Sequence, residues 1–506
     1  VAEWLRRPRV AWAAGRTRPM PAPSAARHLL ARATFGMRPG DAERVEAMGA
    51  GTWLDAQLDR AVAASAGADP VVDAALAPLE TLRWTAEQIQ AASNDIAQRA
   101  RIRDELVAAT LYRIVHSPHQ LFEVMVDHWA NHFNVYMDDY HMMMQSVADR
   151  DVLRRHAITT FRPMLHADAA DVAMMQYLTT LQNTKRGPNE NYAREVMELH
   201  TLGVGGGYSE ADIKAVAKCF TGWNRSDHAW RFEFRPDDHD AGAKTIFGEA
   251  IRATGVDEGH EVLDRLVDHP SCAAHVARRL CRRLVADQPP DALVARVAAA
   301  FGRDGEVAGM LRALFTSPEF AAAVVDRGTA GGAGDGTGGP AKIRRPMEHW
   351  AAVLRGLGAD AGFLLTIPKD GDYAGRPERY LQLMAHMPFR WRSPDGYPDA
   401  GRRWNGAHIM LSRWNFGLAA AENRLGGVDI DLTEQMAADA VPNQADAIVD
   451  YWADRLLPRP LLPADRAVLV EDVAAGGTGR VTLAEAAQRV PMTVALLIDS
   501  PYFQWR

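Results

Sequence analysis

Glu195 and Glu198 are two carboxylates three residues apart, and Arg194 stands beside them within the stretch 189–203. Gly187-Pro188 breaks any preceding helix, Asn189 can cap a new one and Gly203 can end it. The spacing therefore predicts one short helix. At about 100° per residue, Tyr192, Val196, Leu199 and Gly203 share a core face, and Asn191, Glu195 and Glu198 form the neighbouring shoulder with Leu202. Acids paired beside an apolar stripe are partly buried or gathered round a cation. His200 points nearly opposite Glu198, so an undistorted helix cannot offer both to one ion. The plainer reading is an (i, i+4) pair of Arg194 with Glu198, and a solvated Glu195.

A second group of chemical residues falls on a helix over 118–134, opened by Ser117-Pro118. Leu121, Phe122, Met125, Val126, Trp129 and Phe133 make its apolar face, and His132 projects from within it. Such a histidine is either a core residue bonded to a carbonyl or carboxylate, or a metal ligand or general base. His128, four residues earlier, makes an H-x-x-x-H pair with the spacing for one ion. Asp127, Asn131 and Asn134 lie on the opposite side. A third group is the turn Pro236-Asp237-Asp238-His239-Asp240, followed by Lys244. Asx bonding explains such a turn, and its residues are also the oxygen-plus-imidazole set that divalent metals take.

The elements that must position these groups are mainly α, a large multi-helix bundle-like body with one small β-hairpin near 229–248. Ser24 starts a helix with Leu29, Leu30 and Phe35 inward. Residues 41–63 give two more, with Val45, Met48, Trp53, Leu54 and Leu58 facing the core, and one long helix covers much of 80–116. Trp230, Phe232 and Phe234 alternate with charges in a strand, with 244–248 as its return. Residues 1–23 read as an irregular basic arm, and 24–326 as an N-terminal helical body carrying the candidate site. Residues 327–341 read as a glycine-rich linker, and 342–506 as a C-terminal helical part packed on the first. Ser500-Pro501-Tyr502-Phe503 echoes Ser317-Pro318-Glu319-Phe320.

With 47% apolar and 24% charged residues in 506, the chain has the balance of a soluble globular protein. A net charge of −7 spread along it argues against nucleic acid as the main partner. No apolar run is long enough to span a bilayer. The three cysteines, Cys219, Cys272 and Cys281, lack metal-ligand spacing and read as reduced thiols of a cytoplasmic protein. Export stays open if a leader preceded Val1.

Several stretches carry a resemblance. Residues 26–36 (ARHLLARATFG), 127–134 (DHWANHFN) and 194–203 (REVMELHTLG) come first. Tyr208, Gly222-Trp223, His239-Asp240 with Lys244 and Gly248, residues 317–320 and 394–398 (PDGYP) before Trp404 follow in order. This pattern resembles the bacterial family called domain of unknown function 1800, over roughly residues 24–506. The resemblance implies a large, largely helical protein, often exported beside a sulfatase-like partner. The family commonly has histidine at Ala130 and tryptophan at Tyr397.

Three functions compete. In the first, His132, Glu195, Glu198 and His239 or Asp240 meet around a divalent metal, with His128 and His200 as less favoured ligands. Iron or manganese would serve oxidative chemistry and zinc or magnesium hydrolysis, while haem on His132 or His200 stays open. Glu195, Glu198, Arg194 and Lys244 would then be catalytic. Arg194 with Trp391, Tyr397 and Trp404 of the aromatic 386–405 loop would hold a small anionic or aromatic substrate. The second is an enzyme without metal, using Glu195 or Glu198 as acid or base with His132 or His200 as partner. The third is a helical binding or scaffold protein whose charges form a buried ion network.

Overall fold

The computed structural model describes residues 22–65, 69–137, 142–323, 342–368, 372–477 and 479–506. Residues 1–21 of the basic arm and the glycine-rich linker 327–341 lie outside these. The described chain is mainly α, with its strands confined to two small two-stranded sheets. No described helix is long and apolar enough to cross a membrane.

Helix starts follow their local chemistry. Ser24 Oγ accepts from the Arg27 N–H at the head of Ala25–Ala33, and Ser209 and Asp212 form a reciprocal capping box at Glu210–Cys219. Ser317 and Ser500 each begin a short Ser-Pro helix and donate a hydroxyl to the carbonyl three residues back, so their sequence echo is a structural one. The expected long helix over 80–116 is three pieces, Glu80–Arg83, Ala86–Ala92 and Ile96–His116. Thr85 with Gln88, and then Asp95, cap new starts inside it. Ser117 Oγ accepts from the His119 N–H, which delays the next helix to Gln120–His132. Met48 is 43% exposed rather than inward.

The β region also differs from the expected hairpin. Phe232–Phe234 pairs antiparallel with Trp223–Arg225, not with 244–248. Thr245–Ile246 instead pairs with Glu249–Ala250 across Phe247 and Gly248, both at positive φ, a turn that closes on itself within two residues.

One apolar core runs from Leu29 to Phe503 and draws on both sides of 327–341. Gly36, at φ +125°, lets the first helix approach Pro346–Gly356 so closely that a Cβ there would fall 2.6 Å from the Cα of Ala352. Buried arginines fasten helix ends whose last carbonyls have no partner within the helix. Arg32 donates to Val285 O, Arg27 to Leu457 O, Arg355 to Gly36 O and Val115 O, and Arg344 to Phe503 O. At the centre, Glu348 accepts from Arg283, Arg345 and Arg506, and Asp127 from Arg283 and Arg345. Those three guanidiniums hold the Glu348 carboxyl far below the usual range against the opposing effect of burial. Asp127, expected on a polar outer side, is thus an anchor of the core.

Candidate active site around Glu195

The stretch 189–203 is not a uniform helix. Asn191–Glu195 is α, and Val196–Thr201 widens to π geometry. The Leu202 N–H reaches Met197 O, and Thr201 Oγ1 reaches Val196 O, both five residues back. The buried side chains accordingly recur every four residues: Tyr192 and Ala193, Val196 and Met197, His200 and Thr201. A wheel at 3.6 residues per turn put Leu199 in the core, but the wider turn leaves Leu199 partly exposed and buries His200 completely. Glu198 and His200 still point apart.

Two histidines serve the carbonyls of this widened turn. His275 Nε2 donates to Leu199 O at 2.8 Å and His132 Nε2 to His200 O at 2.9 Å. Gly203, at φ +80°, makes room for His275, whose Nδ1 would stand 2.7 Å from a Cβ there. The His132 ring lies 5.9 Å from that of His200, and 6.2 Å from those of His275 and His128. His132 Nδ1, His128 Nε2 and both nitrogens of His200 have no partner among the described residues. Burial, with the Arg279 charge next, drives the His132 pKa far down and that of His200 to about 3, so these imidazoles are neutral. His132 is therefore bonded to a carbonyl, the plainer of its two readings.

The carboxylates face the other way. Arg194 contacts Glu198 and Glu190 at 3.4 Å and Glu210 at 2.8 Å, and the Tyr208 hydroxyl also engages Glu198. Glu195 is different, since it is partly buried and makes no hydrogen bond or ion pair among the described residues. Burial, then the Glu198 charge, raises its pKa. Arg194 opposes the shift, and Asp395 adds to it. Asp395 comes from the 386–405 loop, where its Oδ1 accepts from Trp391 Nε1. Tyr177 stands in the same field, its pKa pushed up to about 12 by burial, Asp395 and Glu195, and its hydroxyl donates to Arg392 O. Arg279, on the helix Pro270–Leu284, lies within the field of Asp399 and Asp395 but makes no hydrogen bond or ion pair among the described residues.

His239, Asp240 and Lys244 belong to another cluster. Lys244 is buried with Nζ 2.6 Å from Glu258 Oε2, and His239 Nε2 lies 3.3 Å from Glu258 Oε1. His239 Nδ1 donates to Thr221 O, and Asp240 Oδ1 accepts from Gly242 N in an Asx turn. The five expected ligands thus fall in three places: His132 with the buried histidines, Glu195 and Glu198 on the outer side of the π turn, and His239 with Asp240 beside Glu258. Among the described residues, no three His, Cys, Asp or Glu are grouped to hold a metal ion. All three cysteines are buried and free.

The aromatic loop is clamped to the end of Gln120–His132. Asn131 exchanges two hydrogen bonds with the Tyr397 backbone, and Asn134 Nδ2 donates to Trp391 O and Ser393 O. Trp391 and Tyr397 line a cavity of about 780 Å³. Trp404 does not line it. That indole is buried, stacked on His386 at 5.0 Å, and donates to Pro398 O. Sequence reasoning gave no role to Arg279 or Asp395. Asp395 sits inside the quoted PDGYP stretch, but nothing in a linear reading pairs it with Glu195.

These features define a mainly α protein whose candidate site is a π-helical turn closed by a clamped aromatic loop. The chain belongs to the family described as "Protein of unknown function (DUF1800)", whose model matches residues 28–505. Neither the curated proteins nor the solved structures gave a match.

Proposed function

We propose that this protein is an enzyme that uses Glu195 as its acid–base group on a small anionic substrate held by Arg279. The observation that carries this reading is the Glu195 carboxyl, partly buried, without a hydrogen-bond or ion-pair partner among the described residues, and held towards its protonated form by burial, Glu198 and Asp395. Structural carboxylates have partners, as Glu348, Glu258 and Glu198 do here. A carboxyl without one, with a raised pKa, at the start of a π turn, is the kind of group that general acid–base catalysis employs. Arg279 supplies a cation whose acidic Coulomb neighbours, Asp399 and Asp395, do not bond to it among the described contacts, so an incoming anion can. The metal-dependent readings, oxidative or hydrolytic, draw on residues that lie in three clusters and are less well supported. The scaffold reading is favoured by one observation, the Arg194–Glu190–Glu198–Glu210 pairs, which tie the rim together as a surface network would.

The test has two parts. Carbon-13 NMR of glutamate-labelled protein, assigned with Glu195→Gln, should show Glu195 titrating above the usual carboxylate range, and an ordinary titration would sink the proposal. A panel of small carboxylates, phosphate esters and sulfate esters should then reveal turnover that survives chelation and falls at least ~100-fold in Glu195→Gln. Turnover indifferent to Glu195, or lost on chelation and restored by one metal, would overturn it.

A further inference from the structure

The cavity beside the clamped loop lies outside the Glu195 reading, which meets its walls only through the Asp395–Trp391 and Tyr177–Arg392 hydrogen bonds. It is bounded by the helix Ile96–His116, the helix Pro377–Leu383 and the loop that Asn131 and Asn134 hold in place. At about 780 Å³ it has the size of a small-molecule site. Its charges are one-sided. Among the described residues, Arg103, Arg379, Arg390 and Arg392 line it, and the one acid in the lining is Asp104, whose Oδ1 accepts from Arg103 Nε at 2.8 Å. Its remaining walls offer flat rings. The Trp391 indole is partly exposed and packs against Tyr397 at 5.0 Å, and its Nε1 is turned to Asp395, which fixes the ring plane. Tyr373 adds a phenol, kept neutral because burial, then Asp104 and Glu378, push its pKa up to about 12. A neutral phenol is a hydrogen-bond donor to an anion rather than a repelling charge.

We infer that this cavity is a binding site for a phosphorylated aromatic small molecule, its dianionic group on the arginines and its ring against Trp391. The excess of arginines over acids in the described lining, with Arg379 and Arg392 exposed, favours a multiply charged anion over a neutral ring. Guanidiniums meet phosphate oxygens in pairs, where a lysine would give only a point charge. The indole face supplies the apolar surface that inorganic phosphate cannot use. The loop is held by backbone hydrogen bonds to two asparagines, so the indole stands in place before the ligand arrives and little ordering opposes binding.

The experiment is calorimetric titration of the full chain with phenyl phosphate, phenol and inorganic phosphate at fixed salt. Phenyl phosphate should bind at least ~10-fold more tightly than either fragment. Arg379 and Arg392 are exposed, so the double variant Arg379→Gln/Arg392→Gln should fold normally and weaken phenyl phosphate by ~10-fold or more. Trp391→Leu should weaken phenyl phosphate while leaving inorganic phosphate unchanged. Glu195→Gln should leave all three titrations as they are, which separates this site from the acid–base reading. The proposal is overturned if folded wild-type protein takes up no phenyl phosphate at millimolar concentration. It is also overturned if phenol binds as tightly as phenyl phosphate, or if neither the arginine nor the tryptophan variant changes the affinity.

Discussion

The side chain of Asn131 pairs with the backbone of Tyr397 as a neighbouring strand would: its Oδ1 accepts from the Tyr397 N–H at 2.6 Å, and its Nδ2 donates to the Tyr397 carbonyl at 2.8 Å. One residue earlier, Gly396 is at φ +74°, and a Cβ there would overlap the carbonyl oxygen of Asn131. Removing the amide leaves two buried backbone groups without partners. Asn131→Ala should therefore cost about 2–4 kcal/mol in urea unfolding. Gly396→Ala should cost at least as much, through overlap and strained φ together. A loss below about 1 kcal/mol for both would mean that the loop is held by other contacts.

Burial pushes the pKa of His28, His128 and His200 down to about 3 and that of His275 to about 4. In the unfolded chain each titrates near 6.5, so below that pH the unfolded state binds more protons than the folded one. Their contribution is complete above about pH 6.5 and is lost as pH falls towards 4, by up to about 1.4 kcal/mol per unit for each histidine. Melting temperature should drop steeply between pH 6.5 and 5, and His200→Phe should flatten the slope. A flat profile over that range would contradict the burial of neutral imidazoles.

The raised pKa of Glu195 has the opposite sign. Its folded-state value lies above the unfolded one, so the carboxyl begins to oppose folding as pH rises past the unfolded value and does so fully above the folded one. Glu195→Gln should be neutral or slightly stabilising at pH 7.5, whereas Glu198→Gln should cost up to about 0.5 kcal/mol by removing a helix ion pair. A loss of several kcal/mol in Glu195→Gln would reveal a structural partner.

Lys244 and Glu258 form a buried pair at 2.6 Å. Glu258→Gln leaves the ammonium buried without a counter-charge and should cost about 3–5 kcal/mol. In a double-mutant cycle with Lys244→Met, the combined loss should be smaller than the sum of the two. Additive losses would place the two groups in separate environments.

Much of the fold was legible in the chain. Ser24, Ser209 with Asp212, and the two Ser-Pro starts announce helices because a cap is a local bond between residues two or three apart. The Arg194–Glu198 pair was legible for the same reason, since helix geometry fixes neighbours four residues apart. The turn-forming role of Asp240 was likewise written in its own sequence. The mainly α class and the membership of a family follow from such local patterns repeated along nearly the whole length.

What only the tertiary structure decided is how residues far apart in sequence meet. The π turn at Val196–Thr201 is held open by His132 and His275, which come from 64 or more positions away and supply donors to the carbonyls of Leu199 and His200. No period in the sequence could reveal it, because the bonds that fix the wider turn are not local. The same holds for Asp127, which is polar on a wheel but is paired with the buried Arg283 and Arg345, and for Asn131 against Tyr397. Local chemistry determined where helices begin and which residues carry charge. Which of those charges found a partner, and that Glu195 found none among the described residues, was decided by the packing of distant segments, since an ion pair or its absence depends on three-dimensional distance alone.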